Sequence, residues 1–169
     1  MNVAVNLGGI AIALAILWLN FRKWWKGNRD PKELVPYGAG SALGSLSTIC
    51  VGGALGWGAS GIAGLFSSAG SKGVQTTTGT SGAATLPTGR MGTLTPEGAV
   101  ITCLVLVGVI ALYKTSGKLE KRRIVGGVIT FAILGFLPGV AALLAWWPDA
   151  VNWAGAKVLE VASKGGEAL

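Results

Sequence analysis

Residues 36–69 read PYGAGSALGSLSTICVGGALGWGASGIAGLFSSA, an apolar run crowded with glycine. Every fourth residue gives Gly40, Gly44, Thr48, Gly52, Gly56, Ser60 and Gly64, with no large side chain among them. On a helix these positions make one shallow, slowly winding groove that another backbone can approach closely, the small-xxx-small pattern of membrane helices. The expectation is a membrane span over 37–66. Its many glycines contribute little transfer energy and lower helix propensity, so a re-entrant hairpin is the alternative.

Composition points the same way. Of 169 residues, 12% are charged, 51% are hydrophobic and 28 are glycine. A soluble domain of this size needs more polar cover, which implies apolar surface facing lipid. Net charge is +7, and most of the bases fall in two clusters. One holds Arg22, Lys23, Lys26, Arg29 and Lys32, the other Lys114, Lys118, Lys121, Arg122 and Arg123. Cys50 and Cys103 both lie in apolar runs and read as small buried hydrophobes rather than as a disulfide or a metal site.

Residues 3–21 are apolar except for Asn6 and Asn20, about the 20 residues a spanning helix needs. The basic residues follow this run instead of preceding it, the reverse of a cleavable signal peptide. It reads as a first span with its N-terminal end translocated. Phe21, Trp24 and Trp25 interleave with the first bases, as aromatic rings do at a membrane interface. Interleaved bases and rings also suit phosphate contact and base stacking on nucleic acid, the weaker alternative here because an apolar span abuts them.

Asp30-Pro31-Lys32-Glu33 has the form of a helix start, with a bend expected near Pro36. Residues 67–95 are polar and rich in Gly and Thr, which predicts a flexible loop. A small hairpin pairing 74–78 with 83–88 is the one element expected inside it. Thr95-Pro96-Glu97 repeats the start signal before a third span at 98–113. Ser116-Gly117 supplies a tight turn, and 124–147 is a fourth span kinked at Pro138. Trp146 and Trp147 mark its exit. Residues 148–164, including Trp153, form an amphipathic helix lying on the surface. The fold class expected is therefore an all-α integral membrane protein, a single membrane domain of four spans.

Both basic clusters should be cytoplasmic by the positive-inside rule, which needs an even number of crossings between them. The glycine-rich run must then cross fully, and the polar loop and both termini lie outside a bacterial inner membrane. The seven acids all fall in loops, ends or interfaces, and there is no histidine. No acid–base pair or activated nucleophile appears, and no ionisable group lies inside a span, so neither an enzyme nor an ion-coupled carrier is expected. No cofactor or metal is implied.

Two function classes remain. In the first, copies self-assemble through the glycine groove, as a pore or channel component of a phage or conjugative mobile element. In general outline the chain resembles phage holins and the small basic membrane proteins of conjugative plasmids, with no motif assigning it to either. In the second, it is an accessory subunit whose groove docks a larger membrane complex. In both, the bases contact anionic lipid headgroups, worth about 1 kcal/mol each near the surface; DNA phosphates are the other candidate.

Overall fold

The computed structural model describes residues 5–27, 29–50, 52–81 and 84–166. The first two residues of the expected first span, and Ala83 of the expected hairpin, lie outside them. Among the described residues the chain forms seven α-helices: α1 (Leu7–Lys26), α2 (Val35–Ile49), α3 (Ala54–Thr78), α4 (Pro96–Thr115), α5 (Lys118–Leu134), α6 (Pro138–Leu143) and α7 (Trp146–Gly166). Two short strands, β1 (Val5–Asn6) and β2 (Thr85–Leu86), pair antiparallel.

The helix starts follow from their caps. Asn6 Oδ1 accepts from Gly9 N at 3.0 Å to open α1, and Thr95 Oγ1 accepts from Gly98 N at 3.1 Å to open α4. Asp30 caps a single 3-10 turn, Pro31–Glu33, by accepting from Lys32 N. Pro36 sits in the first turn of α2, where its missing N–H costs nothing, so it starts a helix instead of bending one. α1 and α4 are each 20 residues long, with mean hydropathies of 1.2 and 2.0, and both are long and apolar enough to cross a membrane.

The glycine-rich run is not one helix. α2 ends at Ile49, Gly52 takes a left-handed φ of +84°, and α3 leaves at a bend of 103°. α2 and α3 count as a third candidate span only as a bent pair. The expected fourth span is also broken. α5 stops at Leu134 because Pro138 has no N–H to give Leu134 and forces Leu137 into an extended conformation. Pro138 thus begins the short helix α6 and does not kink a continuous one. Among the described residues, two helices, or three spans counting the bent pair, are long and apolar enough to cross a membrane.

The polar loop is shorter than expected. Residues 67–78 continue α3, whose Thr76, Thr77 and Thr78 hydroxyls donate to the carbonyls four residues back. The hairpin does not form: 74–78 is helical, and Thr85–Leu86 pairs with Val5–Asn6. Farther on, Met91 is buried against Leu46, Ile49 and Ala141, tying the loop into the core.

The two halves of the chain repeat one arrangement. In each, a 20-residue helix runs into a basic segment, a shorter helix leads away from it, a break follows, and a long helix comes after, with the short α6 standing in the break of the second half alone. The shorter helices, α2 and α5, form the buried centre and run in the same direction, since Gly40 meets Ile124 and Gly44 meets Val128. Their contact is reciprocal: Gly40 lies on the backbone of Ile124, and Gly127 lies on that of Tyr37 and Gly40. The backbones of α2 and α5 therefore touch from both sides, although α3 packs on both of them and α7 packs on α4 instead. Each long first helix packs on the other half's short helix, α1 on α5 and α4 on α2. The outer pairs match as well. Gly70 of α3 meets Gly8 of α1, and Gly155 of α7 meets Glu97 and Gly98 of α4. These two glycines sit in like sequences, Ala69-Gly70-Ser71-Lys72 and Ala154-Gly155-Ala156-Lys157.

Candidate functional site

The duplicated plan brings both basic clusters to one end. α1 and α4 deliver Lys23, Lys26 and Lys114 in their last turns, where cations oppose the negative helix ends. The α4–α5 turn is closed by Glu120, whose carboxylate accepts from Gly117 N at 3.0 Å. Arg123 joins the clusters: Nη1 donates to the Glu33 carbonyl at 2.6 Å and Nη2 to its carboxylate at 3.0 Å. Its side chain is only 11% exposed, so this pair is positional, fixing the start of α5 to the turn before α2.

Arg123 is the only one of the ten bases in a salt bridge among the described residues. Arg22, Lys23, Lys26, Arg29, Lys32, Lys114, Lys118 and Arg122 are exposed, and Lys121 is half-buried. Arg29 lies 4.4 Å from the Trp25 ring centre, and Lys121 lies 5.4 Å from that of Tyr113. Phe21, Trp24 and Trp25 form a ring cluster with centroids 5.5–6.2 Å apart, and Trp24 Nε1 donates to the Asp30 carbonyl. A surface groove of about 340 Å³ runs between Trp18, Phe21, Arg22, Trp25 and Lys26. Rings flanked by free cations can hold an anionic group in contact with an apolar tail.

The seven positions of the four-residue stripe do not share one face. Gly40 and Gly44 pack inside the chain, where a Cβ on Gly44 would lie 2.6 Å from the Val128 carbonyl oxygen. Thr48 points at Gly135, beyond the end of α5. Gly52 lies in the break, and Gly56 packs on the Cys50 carbonyl just across it. Ser60 hydrogen-bonds back to Gly56, and Gly64 has open space where a side chain would be. The period of four fails because the helix it assumes ends at Ile49.

A different face of α3 is open. Gly58, Gly61 and Gly64 each have nothing within 4 Å of a would-be Cβ, and Trp57 and Leu65 beside them are 69% and 71% exposed. At the other end, Trp146 and Trp153 are exposed, whereas Trp147 is half-buried with its Nε1 enclosed. On α7, Lys157 and Lys164 both donate to Glu160 and hold its carboxyl below the usual carboxylate range.

Two polar contacts went unread in the sequence. Asn6 Nδ2 reaches the Ser67 carbonyl at 3.0 Å and Ser71 Oγ at 2.6 Å. Asn152 accepts from Thr95 N at 2.9 Å and donates to the Thr93 carbonyl. Each asparagine ties the capped start of α1 or α4 to α3 or α7. Cys103 is exposed, not buried, and it shares a cavity with Cys50. No family model, no curated protein and no solved structure matches the chain.

Proposed function

We propose that this chain is a small multi-pass protein of a bacterial inner membrane that self-associates through α3, with its basic end on anionic lipid at the cytoplasmic face. The form of assembly proposed is a pore or channel component of a phage or conjugative element. The observation that carries the reading is the division of labour among the glycines. Gly40, Gly44 and Gly127 are consumed in folding one chain, while Gly58, Gly61 and Gly64 remain open on a helix flanked by exposed Trp57 and Leu65. In lipid, glycine faces promote association by letting helix backbones come close.

Leucine at Gly61 and Gly64 tests this. The substitutions meet open space within the chain and raise hydrophobicity, so membrane levels and the fold should be unchanged. Crosslinked multimers in native membranes should fall at least tenfold. Unchanged multimers would refute assembly through α3. A wild-type monomer that copurifies with a larger complex would replace self-assembly by an accessory role.

Orientation has its own test. Both bases-rich segments lie at one end, and α1 and α4 each run into it. With Cys50 and Cys103 first replaced by Ala, Ser81→Cys should be labelled by an impermeant maleimide from outside the cell. Ser116→Cys should be protected until the membrane is opened. Labelling of Ser116→Cys in intact cells would reverse the assignment.

A further inference from the structure

α1 presents two unlike faces. Gly8 and Gly9 pack on Gly70 and Ser67 of α3, and Ile16 and Asn20 face Gly126 of α5. Trp18 and Trp25 stand about 180° and 160° around the helix from Gly9. Both rings are exposed, and with Phe21, Arg22 and Lys26 they line the groove of about 340 Å³. All five residues belong to α1, so the groove opens away from the rest of the chain.

The two ends of the groove differ in chemistry. Trp18 and Phe21 close the apolar part of a helix long enough to cross a membrane, and Arg22 and Lys26 belong to the basic segment. From Trp18 to Lys26 the helix rises about 12 Å, enough to reach from lipid headgroups into the upper acyl chains. Neither cation forms a salt bridge among the described residues. The Arg29 guanidinium, 4.4 Å from the centre of the Trp25 ring, adds a third positive charge at that end.

Charge decides what covers such a face in a bilayer. A second copy meeting it through the same face would set Arg22 and Lys26 against their own equals, a repulsion that the low dielectric beside hydrocarbon enlarges. A zwitterionic lipid brings a cation of its own to the pair. A lipid with an uncompensated phosphate brings the missing negative charge, while its tail lies along the rings. The second half has no equal. Counted back from its last residue, α4 carries Val107, Ile110, Ala111, Lys114 and Thr115 at the places that α1 gives to Trp18, Phe21, Arg22, Trp25 and Lys26. One cation and no ring stand there.

We propose, on the lipid-facing reading of the basic end, that this groove is a discrete site for one anionic phospholipid. Arg22 and Lys26 hold the phosphate, and Trp18, Phe21 and Trp25 line the first methylenes of a chain. Lys118 and Arg122, in the other cluster, attract anionic lipid collectively without holding a particular molecule.

The test titrates purified protein in detergent micelles with phosphatidylglycerol or with phosphatidylcholine of the same chains, read by native mass spectrometry. Expected is one phosphatidylglycerol per chain, bound about tenfold or more tightly than phosphatidylcholine. Arg22→Gln with Lys26→Gln should abolish that preference. Lys118→Gln with Arg122→Gln removes the same charge and should leave it intact; all four bases are exposed, so neither double variant disturbs packing. Trp18→Leu with Trp25→Leu should weaken phosphatidylglycerol binding with every charge in place. Equal losses in the two base variants would overturn the discrete site while leaving the anionic-lipid reading of the basic end standing. A wild-type protein without preference for phosphatidylglycerol would end both. Displacement of the lipid by an equal concentration of glycerol phosphate would make this a site for free anions and overturn the lipid assignment. Assembly through α3 is read separately, by crosslinking.

Discussion

Alanine at Gly40 should destabilise the protein by about 3 kcal/mol, against the usual direction for glycine in a helix. A glycine-to-alanine change in a helix gains up to about 1 kcal/mol from propensity. Part of that gain disappears in a micelle, where the unfolded chain keeps much of its helix. At Gly40 the new methyl overlaps the Ile124 carbonyl, and backbone cannot step aside as a flexible side chain can. Overpacking therefore wins. Gly44→Ala and Gly127→Ala should behave alike, since their methyls meet the backbones of Val128 and of Tyr37 and Gly40. Gly58→Ala, facing open space, is the control and should be neutral or slightly stabilising. Unfolding in mixed micelles with increasing denaturing detergent, followed by circular dichroism or tryptophan fluorescence, measures all four. A neutral Gly40→Ala would mean that α2 and α5 are not in backbone contact.

The four-residue stripe alone would instead spread one close-packing face from Gly40 to Gly64. Periodicity selected the right kind of surface and the wrong length of helix. Gly40 and Gly44 are on a packed face, but Gly52-Gly53 is a turn, and a pair of adjacent glycines is itself a break signal. The same weight given to the glycine dipeptide would have divided the run where it divides.

Much else was legible because it rests on local chemistry. Asp30, Thr95 and Gly117 stand where their capping and turn preferences put them, and α1 and α4 follow their apolar runs to within a few residues. The threonines at 76–78 misled, because β-branched residues suggest strand, whereas their hydroxyls can return to the helix backbone. Gly79, left-handed at φ +71°, is the helix stop that could have announced the longer α3. Pro138 suggests a kink through its own lost hydrogen bond, whereas its stronger effect is on Leu137 before it. The duplication escaped because its likeness lies in spacing more than in residues. Apart from Ala-Gly-Ser/Ala-Lys, the halves share little beyond the order of apolar run, basic cluster and broken helix.

Alanine at Gly70 should release α3 from α1, and alanine at Gly155 should release α7 from α4, each at a cost of about 2–3 kcal/mol. At Gly70 the methyl overlaps the Gly8 peptide and comes within 2.7 Å of Gly9 N. The helices must part there, and the Asn6 bonds to Ser67 and Ser71 go with the contact. At Gly155 the methyl overlaps the Glu97 carbonyl group and comes within 2.8 Å of Gly98 N, and the Asn152 bonds to Thr95 and Thr93 are lost in the same way. Both effects should be local, because α2 and α5 still hold the centre. Hydrogen exchange then gives the readout: faster exchange in α3 alone for Gly70→Ala, and in α7 alone for Gly155→Ala, with α2 and α5 protected in both. Since the two contacts touch no common residue, the double variant should lose the sum of the single losses within about 0.5 kcal/mol. Gly8→Ala with Gly70→Ala should instead fall short of additivity, because one separation of α1 from α3 relieves both methyls. If Gly70→Ala frees α3 while Gly155→Ala leaves α7 as protected as before, the two halves share an outline but not a mode of packing.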